Sequence, residues 1–370
     1  MRTRAAVLRE MGLPAPYAVS RPIEVVELEL APPGPGELLV RVRAAGLCHS
    51  DLSVIDGSRP RVMPMALGHE AAGEVVAVGD GVTGFSAGDH VVLAFVPACG
   101  SCGPCVRERP ALCEPGAAAN TAGTLLSGER RWGDGVHHHL GISAFAEHIV
   151  VSERSAVQVD PALPFDIAAL FGCAVLTGVG AVVNAARVQP GESVAVFGLG
   201  GVGLAALLGA RLAGAQTIVG IDVVPAKLAL ALELGATHTL AAGEGVVAAV
   251  REATGGGADH AIETAGSSAV LADAYAATRR GGTTVTVGLP DPAQMLSIPA
   301  VGLVAEERTL RGSYLGSCVP RRDVPRFVAL HREGRLPVER LLTHRISLDD
   351  LNEGFDRLAS GESVRQAVIL

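Results

Sequence analysis

A glycine-rich stretch in the middle of the chain constrains the fold most strongly. The segment "SVAVFGLGGVGLAALLGARLAG" places Gly198, Gly200 and Gly203 directly after an apolar strand pattern and before a helix pattern. In a βαβ unit, the first glycine of such a G-x-G-x-x-G motif permits a tight turn, the second lets the backbone approach a pyrophosphate, and the third lets helix and strand pack closely. The amides at the helix N-terminus then face the phosphate charge. The motif therefore predicts a doubly wound, Rossmann-type domain that binds a dinucleotide.

The residues that follow extend this pattern and indicate which dinucleotide is bound. Strand and helix signals alternate through "TIVGIDV", "PAKLALALELGA", "DHAIETAG" and "TTVTVGL", as expected for a parallel sheet with connecting helices. Asp222 ends the second strand pattern, where a carboxylate accepts hydrogen bonds from both ribose hydroxyls and repels a 2'-phosphate. NAD is therefore predicted rather than NADP. Two simpler roles remain open: Asp222 as a cap of the next helix, and Lys227, the single lysine, as an ordinary solvated residue.

Length and charge limit the remaining possibilities. Chains of 370 residues usually form more than one core, and the segments before about residue 175 are short, alternating and interrupted by Gly, Pro and Asp. We predict an irregular, mostly β domain at 1–175, a Rossmann domain at 176–312 and a segment at 313–370 that returns to the first domain. The net charge of -8 argues against nucleic-acid binding. The lack of a long apolar run or a signal-peptide pattern predicts a cytoplasmic protein without membrane contact.

Four of the seven cysteines lie close together in "CGSCGPCVRERPALC". Disulfides are disfavoured in a reducing compartment, and the C-x-x-C pairs here lack the βαβ context of a thioredoxin-like redox motif. Four thiolates at such spacings suit a closed, tetrahedral zinc site. The predicted ligands of this structural zinc are Cys99, Cys102, Cys105 and Cys113.

Three residues outside that cluster suggest a second metal site. They are Cys48 in "AAGLCHSDL", His69 in "MALGHEAAG" and Cys173 in "ALFGCAVLTG". A single cysteine is most often a buried apolar residue. Two thiolates and one imidazole, however, form a known catalytic zinc set whose fourth position stays open to water or substrate. Asp51 is a candidate to orient the imidazole, and Glu70 to modulate the charge of the metal.

Together, these motifs make the chain resemble the zinc-dependent medium-chain alcohol dehydrogenases over nearly its whole length. The stretches "GLCHSD", "GHEAAGEV", the four-cysteine run, "GLGGVG" and "NEGFDRLASGESVR" occur in the order of that family. The resemblance implies an α/β protein with a GroES-like β catalytic domain, a Rossmann domain, two zinc ions per chain and NAD. It also implies interconversion of an alcohol with an aldehyde or ketone by hydride transfer, and the long 114–139 segment favours a homodimer.

The resemblance assigns roles to individual residues. Cys48, His69 and Cys173 would bind the catalytic zinc, and Ser50 would contact the reacting alcohol and relay its proton. Asp222 and Lys227 would hold the adenosine ribose. Other residues would face the remaining cofactor or the substrate: His49 and Arg365 at the pyrophosphate, Gly201, Thr177, Val202 and Val287 along the cofactor, and Phe95 and Leu140 in the substrate pocket.

Some features depart from the family pattern and leave alternatives open. Ser53 occupies the place of a proton-relay histidine, and Ala117 stands where the glutathione-dependent branch has an arginine. Ordinary alcohol oxidation is therefore favoured over oxidation of a thiol adduct, which stays an alternative. A zinc-ribbon binding protein without catalysis is the alternative from another class, although the acidic charge and the aromatic content of 3% argue against it. We interpret the histidines at 137–139 as solvated loop residues without a role.

Overall fold

The computed structural model describes all 370 residues and divides into two compact units. Unit 1 contains Met1–Cys173, Val319–Val328 and Leu342–Leu370, and unit 2 contains Ala174–Cys318 and Ala329–Leu341. The predicted boundary between the first two domains, after residue 175, lies close to the change from unit 1 to unit 2 after Cys173. The tail differs from the expectation, because it belongs to unit 1 in two pieces rather than one. The change of unit after Val328 falls inside a continuous helix, Pro320–Arg332, so no break in the sequence pattern marks it.

Strands and helices are distributed over the whole chain. The strands are β1 (Arg2–Leu8), β2 (Ile23–Glu29), β3 (Glu37–Gly46), β4 (Met65–Ala66), β5 (Ala71–Val78), β6 (His90–Leu93), β7 (His137–His138), β8 (His148–Ser152), β9 (Ala156–Gln158), β10 (Ser193–Phe197), β11 (Thr217–Asp222), β12 (His238–Ala241), β13 (Ala258–Glu263), β14 (Thr278–Thr286), β15 (Thr309–Gly312), β16 (Leu342–Ile346) and β17 (Arg365–Ile369). The helices are α1 (Tyr17–Ser20), α2 (His49–Ile55), α3 (Gly103–Val106), α4 (Glu114–Ala122), α5 (Phe165–Ala169), α6 (Ala174–Gly180), α7 (Gly201–Leu212), α8 (Pro225–Leu234), α9 (Val246–Ala253), α10 (Ser268–Ala277), α11 (Ala300–Ala305), α12 (Pro320–Arg332) and α13 (Leu351–Ala359).

Unit 1 is built on two sheets. The larger has the strand order β16-β17-β3-β5-β6-β9, with β8 also paired to β3, and the smaller has the order β2-β1-β4-β7. β3 is central, because it pairs antiparallel with β5, β8 and the last strand of the chain, β17. The middle of its sequence "ELLVRVRAAG", from Val40 to Arg43, alternates apolar and charged residues, with both valines buried, and the strand ends in small residues that lie buried.

Unit 2 is a single parallel sheet of the order β12-β11-β10-β13-β14-β15. This is the strand order of a doubly wound dinucleotide-binding sheet. The chain adds strands outward from β10 to one edge of the sheet and then from β13 to the other edge, so the order of addition reverses between β10 and β13. All five residues of β10, "SVAVF", are buried, as expected for a central strand covered by helices on both faces. The predicted α/β architecture is thus confirmed for this unit.

No single helix of the chain has both the length and the hydropathy that a membrane span requires. One bent pair, 165–172 with 174–186, meets them together by length and composition alone.

Candidate active site

Three segments of unit 1 bring the catalytic zinc candidates together. Cys48 is the residue before α2 and has an extended backbone, and Cys173 follows a short 3-10 helix. His69 follows Gly68, which has a φ of +92° and whose Cβ, if present, would lie 2.6 Å from the backbone nitrogen of Phe145. Only glycine fits both the positive φ and the close approach. A residue with a side chain before His69 would therefore displace the imidazole.

The side chains of Cys48, His69 and Cys173 form a buried donor set. Their two sulfur atoms and one ring nitrogen lie within 4.8 Å of one another. The Nε2 atom of His69 is buried and has no hydrogen-bond partner. Buried polar atoms without partners are rare in native proteins, and two thiols with one imidazole are the donors that a catalytic zinc ion takes. The geometry and the chemistry of this set fit zinc.

Asp51 holds the other side of the His69 ring. Its Oδ1 atom lies 3.0 Å from His69 Nδ1 and accepts a second hydrogen bond from the Gly68 amide at 3.2 Å. Burial lowers the pKa of His69, but the Asp51 carboxylate outweighs burial and raises the pKa overall. The contact fixes which ring nitrogen faces the thiols. The Cys173 side chain lowers the pKa of Cys48 by hydrogen bonding, so one of the two thiols ionises readily.

A buried ion pair lies behind the donor set. Arg365 donates from Nη1 to Glu70 Oε1 at 2.7 Å and to the Leu47 carbonyl at 3.0 Å. Burial raises the pKa of Glu70 to about 7, although the Arg365 charge opposes this shift. Because Arg365 begins β17, it ties the last strand to the segments that carry Cys48 and His69.

The remaining predicted substrate-side residues belong to the same unit as this set. Ser50 is half-buried in the first turn of α2, next to the exposed His49. The Ser53 hydroxyl donates to the His49 carbonyl at 2.8 Å. Phe95 is 6% exposed, and its ring contacts the His69 ring edge to face at 5.4 Å between centroids. Leu140 is also 6% exposed, so both predicted pocket residues are largely buried and apolar.

The histidine tract at 137–139 differs from its prediction. His138 lies in β7, which pairs with β4, and His139 lies in the bend that follows this strand; both are buried, so the prediction of solvated side chains is wrong for these two residues. The Nδ1 atom of His139 lies 3.1 Å from Asp51 Oδ1, and its ring lies 5.7 Å from that of His69. Sequence reasoning missed His139, since a two-residue strand has no periodicity. Its position next to Leu140 was the available signal.

The four clustered cysteines form a second donor set in unit 1. The sulfur atoms of Cys99, Cys102, Cys105 and Cys113 lie within 4.8 Å of one another and make no disulfide. Backbone N–H groups point at two of them: Cys99 and Gly116 donate to Cys113 Sγ at 3.2 and 3.3 Å, and Cys102 donates to Cys99 Sγ at 3.3 Å. The backbone amides of Ser101 and Cys102 lower the pKa of Cys99 to about 6. Burial and the neighbouring thiols raise the pKa of Cys105 to about 12 and also raise that of Cys113, so the four sulfur atoms are not all ready to ionise without a cation. Four converging sulfur atoms without a disulfide fit a four-thiolate zinc site.

The glycine motif of unit 2 forms a close turn between β10 and α7. A Cβ atom on Gly203 would lie 1.8 Å from the Gly198 carbonyl oxygen, so the helix approaches the strand as the motif predicts. Asp222 is 8% exposed and accepts hydrogen bonds from the amides of Leu199 and Val224, at 2.6 and 2.9 Å. It therefore links the glycine turn to the segment before α8; its bond to the amide of Val224, two residues further on, is an Asx-type turn, and α8 has no side-chain cap.

Other predicted cofactor residues of unit 2 lie on several elements. Gly201 and Val202 begin α7, Lys227 lies in the first turn of α8, and Thr177 lies in α6. Val287 follows β14, and its amide donates to the Glu263 carbonyl at 3.0 Å. The backbone amides at the start of α7 and the open space beside Gly200 fit a dinucleotide pyrophosphate.

Comparisons with known proteins agree with this arrangement. Residues 34–161 match the family model for the alcohol dehydrogenase GroES-like domain, and residues 201–333 match that for zinc-binding dehydrogenase. The chain is 37% identical to S-(hydroxymethyl)glutathione dehydrogenase of Synechocystis, with all of both chains covered. It is 38% identical to NDMA-dependent alcohol dehydrogenase of Amycolatopsis methanolica, covering 100% of this chain and 99% of that one.

One solved structure is similar over its whole length. The alcohol dehydrogenase zinc-binding domain protein from Burkholderia ambifaria superposes with a TM-score of 0.94 at 38% identity, covering 100% of this chain and 99% of that one. Both predicted domain types, GroES-like and Rossmann, are confirmed by these matches.

Proposed function

Because this chain belongs to the zinc-dependent medium-chain alcohol dehydrogenases and interconverts alcohols and aldehydes with zinc and NAD(H), we propose that Cys48, His69 and Cys173 hold its catalytic zinc. The observation that carries the proposal is the buried, unpartnered Nε2 of His69, which lies within 4.8 Å of two thiol sulfurs. Removing a metal from such a set would leave a buried polar atom without any interaction.

Each neighbouring residue has a distinct task in this reaction. Zinc at this position supplies Lewis acidity, which makes an alcohol hydroxyl more acidic. Ser50 accepts the hydroxyl proton from the alcohol and passes it outward. Ser53, whose hydroxyl donates to the His49 carbonyl, does not supply the terminal base of a histidine relay, and either water or another histidine reached through the cofactor ribose takes that role. Phe95 and Leu140 form an apolar wall that excludes water from the reacting carbon.

The cofactor residues divide into phosphate-binding and ribose-binding groups. The backbone at Gly198, Gly200 and Gly203 approaches the pyrophosphate, with Gly201 and Val202 at the helix N-terminus. The Asp222 carboxylate retains lone pairs beyond its two amide contacts, and it accepts the adenosine ribose hydroxyls, with Lys227 beside it. The remaining proposed cofactor contacts are His49, Thr177, Val287 and Arg365.

Metal content and cofactor reduction test this assignment together. We expect about two zinc ions per chain, one in each donor set, and alcohol-dependent reduction of NAD+ followed by its ultraviolet absorbance. Cys48→Ser should abolish turnover and remove one zinc ion. The matched control is Cys318→Ser, which changes a buried thiol outside both sets. One zinc or none in the unaltered chain, or full turnover in Cys48→Ser, would overturn the assignment.

Oxidation of a thiol adduct is the second candidate activity. It is supported by the 37% identity to S-(hydroxymethyl)glutathione dehydrogenase over the full chain. Against it, Ala117 is exposed on α4 and offers no charge to an adduct carboxylate. Turnover of S-(hydroxymethyl)glutathione should be slower than that of simple alcohols, and Ala117→Arg should raise it. Faster turnover of the adduct by the unaltered chain would reverse this order.

A homodimer is the proposed assembly, formed through the apolar surface at 289–304 of unit 2. Large apolar side chains are exposed there, among them Met295 at 84%, Val301 at 73% and Val304 at 82%. An apolar surface of this kind commonly marks an interaction site. Light scattering should give twice the chain mass, and Val304→Glu should give the mass of one chain. The reduced thiols of both donor sets favour a cytoplasmic location.

A further inference from the structure

We propose that His139 is a positioning residue that shares the Asp51 carboxylate with the zinc ligand His69, an inference that rests on the proposed function of His69. The Nδ1 atoms of the two histidines lie 3.1 and 3.0 Å from the same oxygen, Asp51 Oδ1. All three side chains are at most 1% exposed. One carboxylate therefore faces two imidazoles without access to water.

The unpartnered atoms around Asp51 point to an interaction between it and His139. Neither His139 Nδ1 nor Asp51 Oδ2 has an aligned hydrogen-bond partner, and both atoms are buried. A buried donor and a buried acceptor that are left unpaired each cost about 1–3 kcal/mol. A small rotation of either side chain aligns the His139 N–H with the carboxylate and removes both costs. His139 thereby supplies the carboxylate with an additional donor.

The backbone of His139 is held by hydrogen bonds within a turn. The His139 amide donates to Ser143 Oγ at 3.0 Å, and the amides of Ile142 and Ser143 donate to the His139 carbonyl at 3.0 and 3.1 Å. These bonds close a tight turn on the C-terminal side of β7. The backbone position of His139 is therefore set by the fold, and the buried ring reaches Asp51 from this fixed turn.

Sharing the carboxylate affects how it orients His69. A carboxylate that also contacts the His139 ring is held in the orientation in which it accepts from His69 Nδ1, so the Nε2 atom of His69 stays directed toward the thiols. Without the His139 N–H, Asp51 keeps its contacts with His69 and the Gly68 amide but loses one of the groups that orient it. The metal environment should then change although all three ligands remain.

Two variants separate the N–H group from the shape of the ring. His139→Phe keeps a ring and removes the N–H, whereas His139→Asn places an amide N–H near the position of Nδ1. The matched control is His137→Phe, in the same tract and outside the donor sets. If His139→Phe does not fold, His139→Gln is used in its place. The Gln amide lies near the position of Nε2, so this variant also lacks an N–H group at the position of Nδ1.

The readouts are the visible spectrum of the cobalt-substituted protein and the rate of zinc release to a chelator. We expect His139→Phe to shift the cobalt bands and to release catalytic zinc about ten times faster. His139→Asn should match the unaltered protein in both, as should His137→Phe. Unchanged bands and release in His139→Phe, or identical behaviour of the Phe and Asn variants, would overturn the proposal. A failure of the proposed function gives a different result. If Cys48, His69 and Cys173 do not bind a metal ion, the unaltered chain shows no cobalt bands that depend on Cys48, and Cys48→Ser leaves its spectrum unchanged.

Discussion

Burial of His138 makes unit 1 sensitive to acid. Burial lowers the pKa of His138 to about 3, against about 6.5 for histidine in an unfolded chain. Between these values the unfolded chain binds a proton that the folded chain does not, so stability falls as the pH drops from about 6.5 toward 3. The free energy of unfolding at about pH 5 should therefore be about 2 kcal/mol lower than at about pH 7.5. His138→Gln should abolish this part of the loss, because an amide does not titrate.

The single tryptophan offers a local measurement of this effect. Trp132 is 5% exposed, and its ring centroid lies 6.1 Å from that of His138, so its fluorescence reports unfolding where the change is made. Urea unfolding is followed at both pH values for the unaltered protein and for His138→Gln, in which an amide oxygen can still accept from the Arg131 amide. The matched control, His238→Gln, makes the same change on an exposed side chain. The argument is refuted if the free energy of unfolding falls by the same amount between the two pH values in the unaltered protein and in His138→Gln, whatever the absolute stability of each.

Further outcomes follow from the glycine turn, the cysteine cluster and α2. Gly203→Ala should lower stability by about 1–3 kcal/mol, because its Cβ meets the Gly198 carbonyl, as measured by thermal unfolding. Gly200→Ala should leave stability nearly unchanged, since nothing lies within 4 Å of its Cβ, but weaken NAD binding about tenfold in calorimetry. Cys105→Ser should release one zinc and lower the unfolding temperature before it alters turnover; an inactive variant of full stability would contradict this. Ser53→His should raise turnover at moderately acidic pH, and an unchanged pH-rate profile would count against the relay.

The sequence predicted the features that depend on local pattern. The glycine motif and the alternation after it predicted the parallel sheet of unit 2, because each βαβ unit is read from neighbouring residues. The donor sets were predicted from cysteine spacing and from "GLCHSD" and "GHEAAGEV". Whether these side chains bind zinc stays a prediction, although the structure brings their donor atoms together.

Features that depend on distant contacts were not predictable in the same way. The pairing of Glu70 with Arg365 joins residues 295 positions apart, and neither has a distinctive local pattern. His139 looked like part of a solvated loop because the side chains it packs against, Asp51 and His69, are 88 and 70 positions away in the sequence. The return of the chain to unit 2 at 329–341 was missed, since helix α12 continues through the boundary.

The place of β17 has a consequence for how the chain is made. This strand, Arg365–Ile369, completes the sheet beside β3 and supplies the arginine that pairs with Glu70. Synthesis runs from the N-terminus, so β3 and the segments carrying Cys48 and His69 leave the ribosome long before their last partner exists. A nascent chain that stops a few residues early would carry every proposed zinc ligand with Glu70 uncompensated. In such a chain the buried Glu70 carboxylate would lack its counter-charge beside the proposed ligands, so the metal site would form in an unfavourable electrostatic setting until β17 is in place.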